Sequence, residues 1–495
     1  MRRLCGFGFL LLLFFVFVCL GRFRRETFSP PPVQNESFLV GAYYYVWYPK
    51  NFKQGMLRKD LRPQQVPEAG WYDSADPKIA ERHIALCSRY GIDFLALDYW
   101  PSRPEQNQNI QDGFLKANNL DDIRFCLFFE TWNLGFDRAE GTLRFTKEIS
   151  EKFLKQMDQI AEEFFAHPRY LKIQGRPVLI LYLTRVCSGE YQKPLSILRE
   201  RLRKKGYDIF LIGDEVFWET LAESWPWQKN PPLSANPNKK RMACFDAITA
   251  YNMYEGNDSH QEGYGSRSRY FEKVAGRFQE YRDVFRSLKR PLRFIPNVIP
   301  GYNDRGVRPR QKHYAIPREW STGGGEGGFF EKAFEKIVFP FLDPALNMIL
   351  VTSWNEWNED TAIEPLEKAP PTSQDKSGEN YFTEGYAYSG YGTRYLEVLR
   401  DETVAVYGRV TDHRGQPMPQ VEVSAWKNDK KYASDRTDHE GCYTLSRLRL
   451  SPGSYEIRVG NDAKKMLVIP PEKKALEVNS DIEKFAVDRV GKGSV

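Results

Sequence analysis

Eight short apolar runs, spread over residues 38–353 and separated by longer amphipathic stretches, constrain this chain more than any other feature. They fall at 38–45, 92–98, 124–130, 177–183, 208–215, 245–251, 293–298 and 347–353. Each is nearly continuous in apolar residues instead of alternating, the mark of strands covered on both faces, as in a parallel sheet. The stretches at 77–90, 148–165 and 194–205 carry apolar residues at helical spacing. Strand–helix alternation repeated eight times over about 320 residues predicts an α/β fold, a (β/α)8 TIM barrel with long loops. Short-period internal repeats are not visible, which disfavours a solenoid or a propeller. With 41% hydrophobic residues the chain can bury a large core, and at 495 residues it exceeds one ordinary domain.

In such a barrel the C-terminal ends of all strands meet on one face, where active sites are built. Reading each run to its end brings Tyr44, Tyr45, Asp98, Trp100, Glu130, Tyr182, Asp214, Tyr251, Asn252 and Asn297 to that face. The eighth run ends in the densest group, Trp354, Asn355, Glu356, Trp357, Asn358 and Glu359. One charged strand end would be unremarkable. Six or more acidic or aromatic ends on one face predict a sugar cleft, because flat rings stack on sugar rings and carboxylates take their hydroxyls. Glycoside cleavage needs an acid for the leaving oxygen and a second carboxylate for the sugar. The ordinary alternative is a solvated loop, since two Glu three residues apart arise by chance in many helices. Trp and Asn interleaved with both carboxylates argue against it: polar groups ending a buried strand are costly unless hydrogen-bonded within a cleft. Glu356 and Glu359 are therefore the catalytic candidates. Tyr44, Tyr45, Asp98, Trp100, Glu130, Tyr182, Asp214, Tyr251, Asn252, Asn297, Trp354 and Asn355 are the substrate-binding ones. Structural readings compete for several: one of Tyr44 and Tyr45 as core, Asp98 and Glu130 as rim carboxylates, and Asp214 with Glu215 as a helix cap. The loop 301–305 offers further rim contacts, and the Gly-rich run 323–328, without the Lys-Ser/Thr of a phosphate loop, reads as a mobile loop near the site.

The first 25 residues read as a signal peptide or signal anchor. Arg2 and Arg3 precede an apolar stretch to Leu20, about 17 residues, long for a cleaved segment and just able to span a bilayer. Arg22, Arg24 and Arg25 follow at once, leaving cleavage and anchoring both open, with the body exported in either case to the extracytoplasmic side. A Pro-rich linker at 26–37 leads into the barrel, expected over 38–402. The net charge of +6 is a small excess that sits largely around the leader, so no basic stripe points to nucleic acid. Five Cys outside the leader, odd in number and scattered, read as buried small hydrophobes. The six His are isolated, without HxH or HExxH, so neither a catalytic metal nor a cofactor is indicated.

Beyond about residue 404 the pattern changes to short alternating strands at 404–410, 420–425, 441–445, 455–459 and 466–469, punctuated by turn residues. This predicts a small all-β sandwich over 403–490. Its G-x-V-x-D-x-x-G-x-P pattern from Gly408 and the later Thr437-Asp438 with Gly441 and Tyr443 resemble the carboxypeptidase regulatory-like, transthyretin-like module, which implies a structural or adhesive role.

Several barrel segments together resemble glycoside hydrolase family 99, the endo-α-mannosidase family. They are 41–48 (GAYYYVWY), 72–77 (YDSADP) with His83, 91–94 (GIDF), 167–171 (HPRYL), 175–178 (GRPV) and 352–359 (TSWNEWNE), spanning roughly 38–366. The resemblance implies a metal-free (β/α)8 enzyme that cleaves α-mannosidic linkages inside a glycan with retained configuration. It implies Glu356 as the base on the sugar 2-hydroxyl, forming a 1,2-anhydro sugar, and Glu359 as the general acid/base. Where the endomannosidases carry His between Trp and the second Glu, this chain has Asn358. Two other classes remain open: a polysaccharide glycosyltransferase on the same barrel, which would need a donor site though no D-x-D motif stands in a suitable setting, and a non-catalytic glycan-binding protein, which would not need both carboxylates.

Overall fold

The computed structural model describes residues 38–216, 238–251, 253, 267–288, 292–310, 315–321, 323–460 and 463–482. The leader 1–25, the linker 26–37 and Asn252 lie outside the described residues. Barrel strands form at all eight apolar runs: β1 (Leu39–Tyr44), β2 (Phe94–Tyr99), β3 (Arg124–Phe129), β4 (Arg176–Leu181), β5 (Phe210–Asp214), β6 (Ala247–Thr249), β7 in two halves (Arg293–Phe294 and Asn297–Val298) and β8 (Met348–Val351). Neighbouring strands all run parallel.

Closure depends on β7. Its first half pairs with β6, Phe294 opposite Ile248, and its second half with β8, Asn297 opposite Leu350. Between the halves Ile295 N–H donates to Ile248 O at 2.9 Å, while Pro296, which has no N–H to give, accepts from Leu350 at 3.1 Å. β8 then pairs with β1, so the sheet returns to its start and the fold is a TIM barrel. β1 approaches β2 closely at Gly41, where a Cβ would stand 2.1 Å from the Phe94 ring.

Helix α1 (Pro77–Tyr90) shows why the amphipathic stretches fold as they do. Asp76 caps it by accepting from Lys78 N–H at 2.9 Å, Pro77 opens it, and Gly91 ends it in the left-handed region at φ 83°. It buries Ala80, His83, Ile84 and Cys87, one stripe against the barrel. Helices α2 (Lys147–Phe164), α3 (Gln192–Lys204), α4 (Arg267–Arg286) and α5 (Arg394–Thr403) also follow the barrel strands. Among the described residues no helix is long and apolar enough to cross a membrane, and the five Cys are free, four of them buried.

Helix α5 leads directly into β9 (Val404–Asp412) of a two-sheet sandwich, followed by β10 (Glu422–Lys427), β11 (Lys430–Arg436), β12 (Cys442–Ser446), β13 (Gly453–Val459) and β14 (Ala463–Ile469). The short β15 (Leu476–Glu477) and β16 (Ser480–Ile482) add parallel to β9; the remaining pairs are antiparallel. A separate apolar core including Val406, Val423, Tyr443 and Ile457 holds the sheets together. Strand β11 was not legible as a strand, because its polar side chains face solvent and leave no apolar alternation. The turn before it is a two-residue hairpin loop, with Asn428 and Asp429 at φ 51° and 55°, a conformation that Asn and Asp tolerate. The sandwich meets α1 through Ser88 Oγ donating to Asp438 Oδ2 at 2.8 Å and an Arg89–Glu440 ion pair. Nearby, His439 Nδ1 lies 2.8 Å from Asp122 Oδ1.

Candidate active site

The loop after β8 is stitched to the end of β1. Trp354 N–H donates to Tyr43 O at 2.8 Å, and the Asn355 side chain accepts from Tyr45 N–H at 2.7 Å and donates to Tyr45 O at 3.0 Å. Ser353 Oγ accepts Glu356 N–H at 2.7 Å, turning the chain so that Glu356 leaves the strand end. Behind the loop, Glu364 Oε2 accepts from Trp357 Nε1 at 2.9 Å and from Tyr72 OH at 2.7 Å. Its Oε1 lies 3.0 Å from His83 Nε2, whose Nδ1 meets Tyr44 OH at 3.0 Å. Every member of this network is buried, so no water competes for its donors. On the other flank Asp360 accepts from Arg58 Nε at 2.8 Å and from Arg318 Nε at 3.0 Å, and Arg58 also spans both oxygens of Glu326 at 2.8 and 3.0 Å. The Gly-rich run 323–328 therefore departs from the mobile loop its composition suggests. It is pinned at Glu326, which is buried among cations and tyrosines.

Four carboxyls gather at this end of the barrel: Glu356, Glu359, Asp98 and Glu130. Glu356 is buried, and its Oε1 accepts the Asn358 N–H at 2.9 Å. Burial pushes its carboxyl well above the usual range and the Glu359 charge adds to this, with the Asn358 N–H and Arg308 acting the other way. Glu359 is partly exposed, and its Oε1 is held by Arg308 at 3.0 Å. Asp98 sits at the end of β2 under the Trp100 indole N–H, with Gln106 at 3.3 Å. Burial raises its carboxyl to about 8 against the pull of Trp100, Glu130 and Arg103. Glu130, at the end of β3, is raised by burial and then by the Asp98 charge. Among the described residues Asp98 Oδ1 and Glu130 Oε2 are buried without a hydrogen bond of ordinary geometry, and the two carboxyls lie close enough to share a proton.

Aromatic rings wall these acids. Tyr45 and Tyr251 share a hydrogen bond through their hydroxyls, Trp47 stacks on Tyr45 at 4.3 Å, and Trp100 lies 6.1 Å from Trp47 and 6.3 Å from Trp132. Tyr182 packs on Tyr251 at 5.1 Å. Glu356, Asp98 and Glu130 all act on Tyr45, and Glu359 and Glu356 on Tyr251, which ties rings and acids into one site.

The remaining candidates all make contacts within the protein, while Asn297 Oδ1 and Trp354 Nε1 are buried without a hydrogen bond among the described residues. Tyr44 points to the helix side of β1, toward His83 and Phe114, because successive strand residues face opposite ways. Trp354 packs on His83 at 5.3 Å, and Asn355 spends its amide on Tyr45 and Tyr72. Asp214 is saturated: Arg185 Nη1 at 2.6 Å, Leu183 N–H at 3.1 Å and Tyr251 N–H at 2.9 Å. Glu215 pairs with Arg241 at 2.8 Å. Asn297 donates to Ala250 O at 2.8 Å and Thr352 Oγ1 at 2.6 Å, bracing β6 against β8 across the β7 break. From the loop 301–305, expected to give rim contacts, Tyr302 and Asp304 lie beside Glu359 and Arg308, and Trp47, Trp132 and Arg308 stand here without having been singled out. Trp47 was legible two residues beyond Tyr45, and Trp132 two beyond Glu130. Arg308 gave no signal, since it lies in a long loop after β7 without periodicity.

A closed (β/α)8 barrel with acids and aromatic rings gathered at its C-terminal face is a glycoside-hydrolase-like barrel. The chain belongs to the family described as Glycosyltransferase WbsX, whose match covers residues 44–371. It is similar to the mouse (Mus musculus) protein named glycoprotein endo-alpha-1,2-mannosidase, 24% identical over 365 residues and 68% of each chain. Among solved structures it resembles a glycoside hydrolase-like protein, with TM-score 0.52, 20% identity and 76% of this chain and 96% of that one covered. It also resembles the GH99 endo-alpha-mannosidase of Bacteroides thetaiotaomicron, with TM-score 0.50, 18% identity, and 74% and 96% covered.

Proposed function

We propose that this chain is an exported retaining endo-glycosidase that cleaves α-mannosidic or related linkages within a glycan. The observation that carries this reading is the pair Glu356 and Glu359, delivered from the end of β8 into one site with Asp98, Glu130, Tyr45 and Tyr251. Glu356, enclosed and close to the other acids, takes the proton of the sugar 2-hydroxyl; the oxygen so freed attacks C1, and the bond to the leaving oxygen breaks. Glu359, at the more open side, gives that oxygen its proton. It then takes one from the water that opens the 1,2-anhydro sugar at C1, while Glu356 returns its proton to O2. Two displacements at C1 retain the configuration. Asp98, Glu130 and Trp100 hold hydroxyls of the bound sugar, and Trp47, Trp132, Tyr182 and Tyr251 give it flat apolar faces. The structural commitments of Tyr44, Asp214, Asn297, Trp354 and Asn355 make them the frame of the site in this reading.

The barrel over 38–402 is the catalytic domain, and the sandwich is a carboxypeptidase regulatory-like module without catalytic groups. The test is glycan release from α-mannan and N-glycan substrates, with the anomer of the first product read by NMR. Release with retention supports the proposal, whereas inverted product or no release from any α-mannoside sinks it. The family's description favours a second reading, transfer of a sugar to a growing polysaccharide. Turnover that requires an activated sugar donor and an acceptor, with no release from glycans in water, would establish that one instead.

A further inference from the structure

On the reading above, the two catalytic carboxyls must start the reaction in different states, one ionised and one protonated. Among the described side chains around them, the nearest cation is Arg308. Its Nη1 and Nη2 both reach Glu359 Oε1 at 3.0 Å, and Nη1 also reaches Asp304 Oδ2 at 2.7 Å. Asp304 is fully buried, whereas Glu359 and Arg308 keep partial solvent access. Both contacts to Glu359 fall on a single oxygen, so the pair lacks the parallel two-oxygen fork of the strongest arginine–carboxylate contacts. A guanidinium held by Glu359 alone would lose its partner charge whenever Glu359 carried the proton that its role as acid requires. With Asp304 as second partner, the guanidinium keeps a counter-ion in either state of Glu359.

We infer that Arg308, steered by Asp304, is a positioning residue that keeps one negative charge on the Glu356–Glu359 pair, so that the pair enters catalysis as one base and one acid. This rests on the proposed roles of the two glutamates. Other groups bear on the balance from every side. Glu356 is faced by Tyr45 and Tyr48 beyond β1, Asp98 at the end of β2, Tyr251 beyond β6, and Arg308. Glu359 is faced by Glu130 beyond β3, Tyr251, Tyr302, Arg308 and Glu356. The charged carboxyls in this set favour keeping protons on the pair, and among the described side chains Arg308 is the cation that opposes them.

The test is the pH dependence of kcat/KM for the full chain and for Arg308→Gln, Arg308→Lys and Asp304→Asn. Arg308→Gln is expected to move the acidic limb up by about one pH unit, the lower end of a nearby opposite charge's effect. Arg308→Lys should recover most of that shift. Asp304→Asn should move the limb the other way, because the guanidinium is no longer shared. A uniform fall in kcat with limbs unmoved in all three variants would reduce Arg308 to a structural role and overturn the inference. A readout independent of turnover is the titration of the pair's carboxyls by infrared difference spectroscopy, with Glu356→Gln and Glu359→Gln as blanks. The midpoint should rise in Arg308→Gln and fall in Asp304→Asn, and equal midpoints would overturn the inference even in a protein that cleaves no glycan. A wild type without turnover but with shifted midpoints would sink the glycosidase reading and leave the charge balance standing.

Discussion

Glu356 and Glu359 are three residues apart in the chain, yet their surroundings separate them: one is enclosed among acids and tyrosines, the other is pinned to a cation near solvent. Different roles predict different losses. Glu359→Gln should abolish cleavage of glycans with poor leaving groups while sparing activated aryl glycosides, since general acid catalysis contributes roughly 10²–10⁴-fold and matters most for a basic leaving oxygen. Glu356→Gln should depress both substrate types alike. A 2-deoxy or 2-fluoro mannoside should be inert in wild type, and its efficient turnover would mean that Glu356 attacks C1 directly. Asp98 makes a second prediction. Burial raises its carboxyl to about 8, above the unfolded value of about 3.9, so the folded chain binds this proton more tightly. Stability is then full below about pH 4 and is lost as pH rises above it toward the raised range that Asp98 shares with Glu130. Asp98→Asn should match wild type in melting temperature near pH 4.5 and exceed it near pH 8, at the expense of activity, because a strained carboxyl is removed from a binding site. A melting-temperature difference that does not grow with pH would count against this.

At the scale of elements, the loop after β8 owes its shape to what lies behind it. Arg58, Arg318, Glu326 and Asp360 are all buried, and removing one member of such a cluster leaves uncompensated charge at a cost of about 3–5 kcal/mol. Arg58→Met is expected to lower stability by about that much in urea titration. It should also lower kcat more than it raises KM, since Asp360 adjoins Glu359. A variant with wild-type stability would show that the cluster is not needed. Helix α1 is a milder case: Asp76→Ala removes the side-chain cap and should cost about 1 kcal/mol, without touching turnover.

At the scale of the whole molecule, the sandwich lies against the outer side of α1, whose inner side carries His83 toward Tyr44 and Glu364. We expect a chain ending at Thr403 to keep the intrinsic turnover of the barrel. The groups at the junction, Ser88, Arg89 and Asp122, lie on the outside of the barrel and none is in the site. It should melt lower, because Val404 no longer packs over Gly91 and the junction hydrogen bonds are gone. Loss of turnover in a truncated barrel that is still folded, by circular dichroism, would refute the separation of the two parts.

The sequence by itself determined the barrel, the run that supplies each strand, the sandwich after it, and the face on which acids and rings collect. These follow from apolar periodicity and from the chemistry at strand ends, both of which are local. It also carried the choice between Tyr44 and Tyr45 in latent form, through strand alternation, but not the phase of that alternation, which only the partners His83 and Tyr251 decide. Asp214 looked like a site acid until Arg185 and two backbone N–H groups closed around it, and Glu326 looked like part of a loose glycine loop until Arg58 reached it across 268 positions. Arg308 could not have been found at all. Its importance is a matter of two distances, to Asp304 and to Glu359, and electrostatic partnership between loops depends on separation in space, which the order of residues along a chain does not encode.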